Sequence, residues 1–228
     1  ISAGDQVVTG ADGSATITLP DTSTLKIGPD TKFSISETKS SGATAMGKAT
    51  TRTIKVASGK IYGDIKPNTG VFTQFDTPSG VAAVRGTTLE LSVNFETGQI
   101  QIKVDGGAVQ MFPLGLTGGT TVTLSTGQVI KVTGGVGGSR VDTAVEVVSD
   151  GGKPIVTTVG NQQVTMTTGT AVALRPSLLA TGDTAGTVQI NVTAGSATVK
   201  DTVTNTVTTA TPDSGAIALA VIAVAHSL

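Results

Sequence analysis

The stretch from residue 87 to residue 104, TTLELSVNFETGQIQIKV, decides the fold class of this chain. Apolar and polar side chains alternate on both sides of Glu96-Thr97-Gly98, which has the composition of a turn. An alternation with a period of two places one set of side chains on each face of a β-strand, and a short glycine-containing turn joins two such strands. The stretch therefore predicts an antiparallel β-hairpin with one buried face.

The same alternation recurs along the chain in short runs, separated by turn sequences rich in Gly, Pro and Asp. In the first third of the chain these runs are residues 14–19, 24–27, 32–36, 53–56, 60–65 and 70–75. Residues 37–52 lose the alternation and are small and polar, which predicts a long surface loop or a hairpin tip. Many short strands at regular spacing are typical of sandwiches, barrels and solenoids. The predicted fold class is all-β.

The predicted domain organisation follows a change in composition near the middle of the chain. Residues 134–140 are GGVGGSR, the most flexible stretch of the sequence and its best linker candidate. We expect a β-sandwich or β-solenoid-like domain over residues 1–133 and a second antiparallel β domain over residues 141–228. Relative to its length, the second half carries less charge and slightly more Thr than the first half.

The composition excludes several classes of function. The 228 residues include no Cys, no Trp and one His, so side chains that titrate near neutrality and soft metal ligands are nearly absent. The formal net charge of −1 and an aromatic content of 3% indicate no nucleic-acid partner. We expect no enzyme, no catalytic residues, no metal and no cofactor.

The cellular location is predicted from the start of the chain and from the lack of Cys. The sequence begins at Ile1, with no charged and then apolar leader. We interpret it as an exported chain whose signal peptide has been removed, located outside the cell or at the cell surface. The uncharged run from Gly215 to Ala225 is shorter than the roughly 20 apolar residues that a membrane helix needs, so no membrane insertion of the mature chain is expected.

One stretch carries a family resemblance. Residues 77–87, TPSGVAAVRGT, resemble the segment TP-x-x-x-A-x-x-R-G-T of the FecR family. Preceding runs at residues 7–10, 13–19, 24–27 and 29–35 fit the same pattern, so residues 4–132 resemble a FecR-type domain. The resemblance implies a β-rich module of bacterial envelope proteins. The family's namesake is a membrane-spanning transducer that controls a sigma factor, and this chain shows no transmembrane helix in its sequence.

The residues of this segment are predicted to have a structural role. The structural motif consists of Thr77, Pro78, Arg85, Gly86 and Thr87. Gly86 permits a bend or the close approach of another strand, and the five donors of Arg85 could satisfy carbonyl groups left unpaired there. The alternative is an anion or carboxylate site at Arg85.

Other residues give weaker signals for binding or modification. Asn191-Val192-Thr193 matches a glycosylation acceptor. Asp12, Asp21 and Asp30 recur at turns but lack the spacing of a calcium loop, so we interpret them as turn residues. His226 has no second His or Cys with which to share a metal.

The apolar C-terminal segment supports the main functional prediction. Its assembly residues are Ile217, Leu219, Val221, Ile222 and Val224. The segment either packs on its own domain as a final strand or helix, or adds as a strand to a neighbouring subunit. The second arrangement, used head to tail, builds an open homopolymer.

Three functions remain open from the sequence. The main prediction is an extracellular structural protein, a subunit of a filament, surface layer or matrix that assembles with itself by β-strand complementation. The first alternative is a periplasmic or surface module that binds polysaccharide or peptidoglycan, and the second is a FecR-like envelope signalling protein.

Overall fold

The computed structural model describes residues 4–39, 50–68, 70–114, 121–133, 144–149, 155–159, 162–176, 187–214 and 217–220. Twenty strands make up most of this part of the chain, which confirms the all-β prediction. The strands are β1 (Gln6–Val8), β2 (Ala15–Thr18), β3 (Thr24–Ile27), β4 (Lys32–Lys39), β5 (Thr50–Ile65), β6 (Val71–Thr77), β7 (Gly80–Val84), β8 (Thr87–Val93), β9 (Ile100–Gly106), β10 (Ala108–Pro113), β11 (Val122–Ser125), β12 (Gln128–Thr133), β13 (Ala144–Ser149), β14 (Ile155–Val159), β15 (Gln162–Met166), β16 (Ala171–Pro176), β17 (Thr187–Ala194), β18 (Ala197–Asp201), β19 (Val207–Ala210) and β20 (Ile217–Ala220). None of the helices in the described ranges is long and apolar enough to cross a membrane.

The strands form two sheets that share one long strand. Sheet I has the order β1, β4, β5, β6, β7, β10, β11, β14, β15, β18, β19. Sheet II has the order β2, β3, β5, β8, β9, β12, β13, β16, β17, β20. The first half of β5 pairs in sheet I and its second half, from Gly59, pairs in sheet II. All these pairings are antiparallel except β5 with β6.

The core lies between the inner faces of the two sheets. In the hairpin of β8 and β9, Leu91 is paired with Ile102, and both side chains are fully buried. The predicted hairpin is therefore confirmed, with the apolar set of its alternation turned inward. Buried Ile54 and Phe75 of sheet I belong to the same hydrophobic cluster. Because Val, Ile and Leu fill most of this cluster, the fold needs few aromatic residues.

After β5 the chain follows a regular path. It makes two strands in one sheet, crosses to the other sheet, and makes two strands there. Turns within a sheet therefore lie at one end of the strands, which we call the loop end. Crossings between the sheets lie at the opposite end, which we call the corner end. The family-like segment contains one connection of each kind.

Both sheets continue past the predicted linker, whose residues 134–140 lie outside the described part of the chain. In sheet II, β12 pairs with β13, with Ile130 opposite Val147. In sheet I, β11 pairs with β14, with Val122 opposite Val159. The halves 1–133 and 141–228 therefore share both sheets, and the domain boundary itself stays a prediction.

The apolar C-terminal segment contributes a strand to its own chain. Strand β20 pairs with β17, and Ile217 lies opposite Ile190 while Leu219 lies opposite Val188. This is the intramolecular arrangement that the sequence left open beside donation to a neighbour. The other assembly residues, Val221, Ile222 and Val224, lie outside the described residues.

The loop or hairpin tip predicted at residues 37–52 is too long at both of its ends. Strand β4 continues to Lys39 and β5 begins at Thr50, with Glu37 directly opposite Arg52. The physical reason is an ion pair between these two side chains, which replaces apolar alternation as the support for the strands. Residues 40–49 lie outside the described part of the chain.

Candidate functional site

The first half of the family-like segment forms a turn at the loop end. Thr77 ends β6, Pro78 and Ser79 make the turn, and Gly80 begins β7. The Thr77 hydroxyl donates a hydrogen bond of 2.6 Å to the Gly80 carbonyl. The buried Ser79 hydroxyl donates to the carbonyl of Gly98, in the turn between β8 and β9. This turn of sheet I is thereby fastened to the neighbouring turn of sheet II.

The second half of the segment forms a crossing at the corner end. Gly86 adopts a positive φ of 61°, and Thr87 begins β8 with its side chain buried. The Thr87 hydroxyl lies 2.7 Å from the carbonyl oxygen of Ala108 and 3.2 Å from that of Arg85, so it can donate to either. The sequence expectation that Arg85 serves these carbonyls is wrong, because Arg85 is exposed and the hydroxyl of Thr87 does so.

The same arrangement occurs at two other crossings between the sheets: one at the loop end, because Gly59 pairs with Val93 beside the turn of β8 and β9, and one at the corner end. The buried Thr31 hydroxyl accepts from the Lys60 backbone N–H at 2.9 Å and lies 3.3 Å from the Lys60 carbonyl oxygen. The buried Thr170 hydroxyl likewise donates to the Ser196 carbonyl at 3.0 Å and lies 3.3 Å from its N–H. We call each such contact a corner latch: a Thr hydroxyl at one sheet crossing, bonded to the backbone of the first residue after a glycine.

Glycine is required where the latches bring two segments of backbone together. Gly59, Gly107 and Gly195 precede the latched residues and have φ values of 96°, 81° and 72°. A Cβ atom on Gly107 would lie 2.4 Å from the Gly86 carbonyl oxygen and 3.2 Å from the Thr87 hydroxyl. The repeated latch gives a structural reason for part of the Thr and Gly content, which sequence analysis attributed only to strands and turns.

Replacing Thr87 with valine tests the latch. Valine has a similar shape but no hydroxyl, so the Ala108 carbonyl loses this hydrogen bond in a partly buried setting. We expect the free energy of unfolding to fall by about 1–3 kcal/mol. Chemical denaturation measures this change. Thr87→Ser keeps the hydroxyl and is the matched control; equal losses for both variants would contradict a hydrogen-bonding role.

A groove on the outer face of sheet I lies beside this crossing. It has a volume of about 380 Å³. Arg85 and Gln110 line it and are exposed, and Ala83, opposite Gln110, is small and half-buried. Phe72, which is 41% exposed, is also part of the lining. Of the predicted motif, the structure brings only Arg85 to this groove.

A buried arginine is the feature that sequence analysis missed. Arg52 is 2% exposed, and its guanidinium lies 2.7 Å from an Asp21 carboxylate oxygen and 2.9 Å from one of Glu37. Burial alone would raise the pKa of Asp21, but the hydrogen bonds and positive charge of Arg52 together with the Ser23 N–H hold it below its usual value. In the sequence Arg52 stands among Thr residues in TTRT, a pattern that is typical of an exposed strand end and so gives no indication of burial.

The remaining predicted sites are scattered. Asn191 is exposed on β17, and its glycosylation stays a prediction. Asp30 sits at a turn with a φ of 49°, consistent with a turn residue, whereas Asp21 binds Arg52. Within the described ranges, no three Asp, Glu, His or Cys residues lie close enough together to hold a metal ion. His226 lies outside those ranges.

The fold and the corner latches define a class of protein: an all-β scaffold in which hairpins alternate between two sheets and are joined by glycine corners. Residues 5–110 match the family model described as FecR protein, which confirms the resemblance in the first part of the chain. The match ends within β10, so β11 and β12 continue the sheets beyond it. These matched residues are similar to the FecR family, and Thr77–Thr87 lies among them.

Comparison with solved structures gives a distant likeness. Two crystal structures of a protein from Parabacteroides distasonis, described as a candidate anti-sigma factor, each align with a TM-score of 0.45 and 15% identity. The alignment covers 59% of this chain and 57% of that protein, so the chain spans little more than half the length of its structural relative. The comparison with curated proteins found no match.

Proposed function

We propose that this chain is a non-enzymatic, FecR-like module of the bacterial envelope that binds another envelope protein and takes part in signalling. The observation that carries the proposal is the match of residues 5–110 to the FecR family. The family resemblance of the segment at 77–87 adds the envelope location and the signalling role. On this proposal the chain works outside the cytoplasm, on the side of the membrane from which a signal arrives.

The geometry supports a scaffold that presents surfaces. The motif residues Thr77 and Thr87 bond to backbone carbonyls and hold turns and crossings in place. Outward-facing strand positions are therefore held by a regular framework. Phe72 and Phe112 are part of the outer surface of sheet I, at 41% and 37% exposure, and aromatic residues are enriched in protein–protein interfaces. A protein partner fits these features.

The proposal replaces self-assembly as the preferred function. Strand β20, the segment that would be donated, pairs within its own chain, so donation would first require the loss of its pairing with β17. The chain as its own partner stays a prediction. Size measurement of the purified protein would reveal polymers if they form.

The test of the proposed function is a change in transcription. We expect depletion of the protein in its own bacterium to alter a defined set of transcripts that depend on one sigma factor, before any change in cell shape. Re-expression of the wild-type chain should restore them. RNA sequencing at early times after depletion makes the measurement. Unchanged transcripts, or a general stress response that follows envelope damage, would show that the module does not signal.

A further inference from the structure

The groove beside the family-like crossing combines apolar, amide and cationic groups. Its outer positions are Phe72, Ala83, Arg85, Ala108 and Gln110, contributed by strands β6, β7 and β10 and by the crossing. The pairing of Gln74 with Ala83 and of Ala83 with Gln110 places these strands side by side. The small Ala83 leaves space between longer neighbours, which forms the floor of the groove.

Arg85 lies between an aromatic and a small residue across the strands. Val84 is opposite Thr73 on one side and Val109 on the other, so the next position, Arg85, falls level with Phe72 and Ala108. Arg85 lines the groove together with the aromatic Phe72 and the small Ala108. The guanidinium of Arg85 can bind a carboxylate with two parallel hydrogen bonds.

Among the described residues that line the groove, Arg85 is the one that carries a charge. Within the described residues no ion pair joins Arg85 to an acidic side chain, whereas Lys60 and Lys103 on sheet II contact Glu90 and Asp105 at 2.6 and 3.3 Å. The groove therefore has an unneutralised positive charge beside apolar surface. An occupant that carries one negative charge and one bulky apolar group complements both.

We propose that this groove binds a short peptide segment of a partner protein in which an acidic residue follows an aromatic or aliphatic residue. The carboxylate pairs with the guanidinium of Arg85. The apolar side chain packs on Phe72 over Ala83, and the amide of Gln110 bonds the peptide backbone. A volume of about 380 Å³ fits two or three residues of such a segment, at the small end of binding sites.

This inference rests on the proposed function, because it names the site through which the envelope partner is bound. The probe is the peptide acetyl-Gly-Phe-Glu-Gly-amide, titrated into the uniformly ¹⁵N-labelled full chain and followed by NMR. We expect saturable shifts confined to the amides of residues 72–74, 83–85 and 108–110. The matching peptide with Gln in place of Glu should bind about tenfold more weakly, as expected for loss of a charge-assisted pair.

Three variants assign the binding to the groove. Arg85→Gln should remove the difference between the two peptides, because only the carboxylate contact is lost. Ala83→Trp should fill the floor and abolish binding of both peptides. Lys103→Gln, on the outer face of sheet II, is the control for a change in net charge and should leave both affinities unchanged. Because these side chains point outward, the spectra should stay those of a folded protein.

Several outcomes would overturn the proposal. They are equal affinities for the two peptides, shifts that map to sheet II, binding that survives Ala83→Trp, and no saturable shift up to about 10 mM peptide, where even a weak site is occupied. The proposed function is tested separately. If depletion changes transcription but a strain with Arg85→Gln responds normally, the signalling role stands and the groove is not its binding site.

Discussion

Gly107→Ala is expected to unfold the protein or to lower its free energy of unfolding by about 4 kcal/mol or more, at the upper end of single substitutions. Gly107 has a φ of 81°, where an L side chain costs about 1–2 kcal/mol. The new Cβ would also lie 2.4 Å from the Gly86 carbonyl oxygen. That oxygen belongs to backbone at the adjacent crossing, so it cannot move aside without displacing β8 and the Thr87 latch.

The matched control for this substitution is Gly169→Ala. Gly169 has a similar φ of 76°, but nothing lies within 4 Å of its added Cβ. We expect Gly169→Ala to lower the free energy of unfolding only by the conformational cost of the positive φ, about 1–2 kcal/mol. Urea denaturation followed by circular dichroism compares the two variants. A similar small loss in both would show that close approach of the backbones at the corner end contributes nothing.

Arg52→Met is expected to lower the free energy of unfolding by about 3–5 kcal/mol at neutral pH, because it leaves a buried carboxylate without its counterion. Asp21, 2.7 Å from the guanidinium, is 8% exposed, so its negative charge depends more on the arginine than that of Glu37 does. Glu37 is 41% exposed and can return to water. Glu37→Gln is therefore the control, with an expected loss of about 1 kcal/mol or less.

The loss of stability in Arg52→Met should depend on pH, and the pKa of Asp21 determines the direction of this dependence. Arg52 holds that pKa below its usual value of 3.8 in the folded protein. The wild type therefore keeps this stabilisation above pH 3.8 and loses it as the pH falls through the lower, folded value. In Arg52→Met, burial without a counterion raises the pKa of Asp21. Protonation of Asp21 at acidic pH therefore removes the unpaired charge and reduces the destabilisation of the variant. Denaturation midpoints should converge with acidification.

A second substitution tests the assignment to Asp21. Asp21→Asn added to Arg52→Met removes the unpaired charge, so it should recover part of the lost stability at neutral pH and abolish its pH dependence. A double variant no more stable than Arg52→Met would locate the cost elsewhere, in the packing of the arginine stem.

The hairpin of β8 and β9 shows what sequence patterns predict well. Its alternation places Leu91 and Ile102 on one face and Glu90 and Lys103 on the other, and the structure pairs these residues across the strands. The prediction succeeds because the period of two is a local property and only one face is buried. The same reason explains why the run at residues 60–65 is correctly predicted as a strand.

Arg52 and Glu37 show where the patterns fail. Their strands lack apolar alternation at this point, and the long hairpin is held by a charge pair between residues 15 positions apart in the chain. Nothing local distinguishes an arginine that will be buried from one that will be solvated. The pairing of β4 with β5 brings Glu37 to the guanidinium, and the pairing of β3 with β5 brings up the turn that carries Asp21.

The sequence alone determined the all-β class, the hairpin of β8 and β9 and the resemblance of residues 5–110 to the FecR family, because alternation and short motifs depend on residues that are adjacent in the chain. The tertiary structure decided how the strands are shared between two sheets, that both sheets continue from β12 to β13, and that Thr87 bonds to Ala108 while Arg85 faces outward. These depend on contacts between residues distant in the chain. The folding of the sheet crossings determines which Thr hydroxyl bonds to which carbonyl group. No single stretch of sequence contains that information.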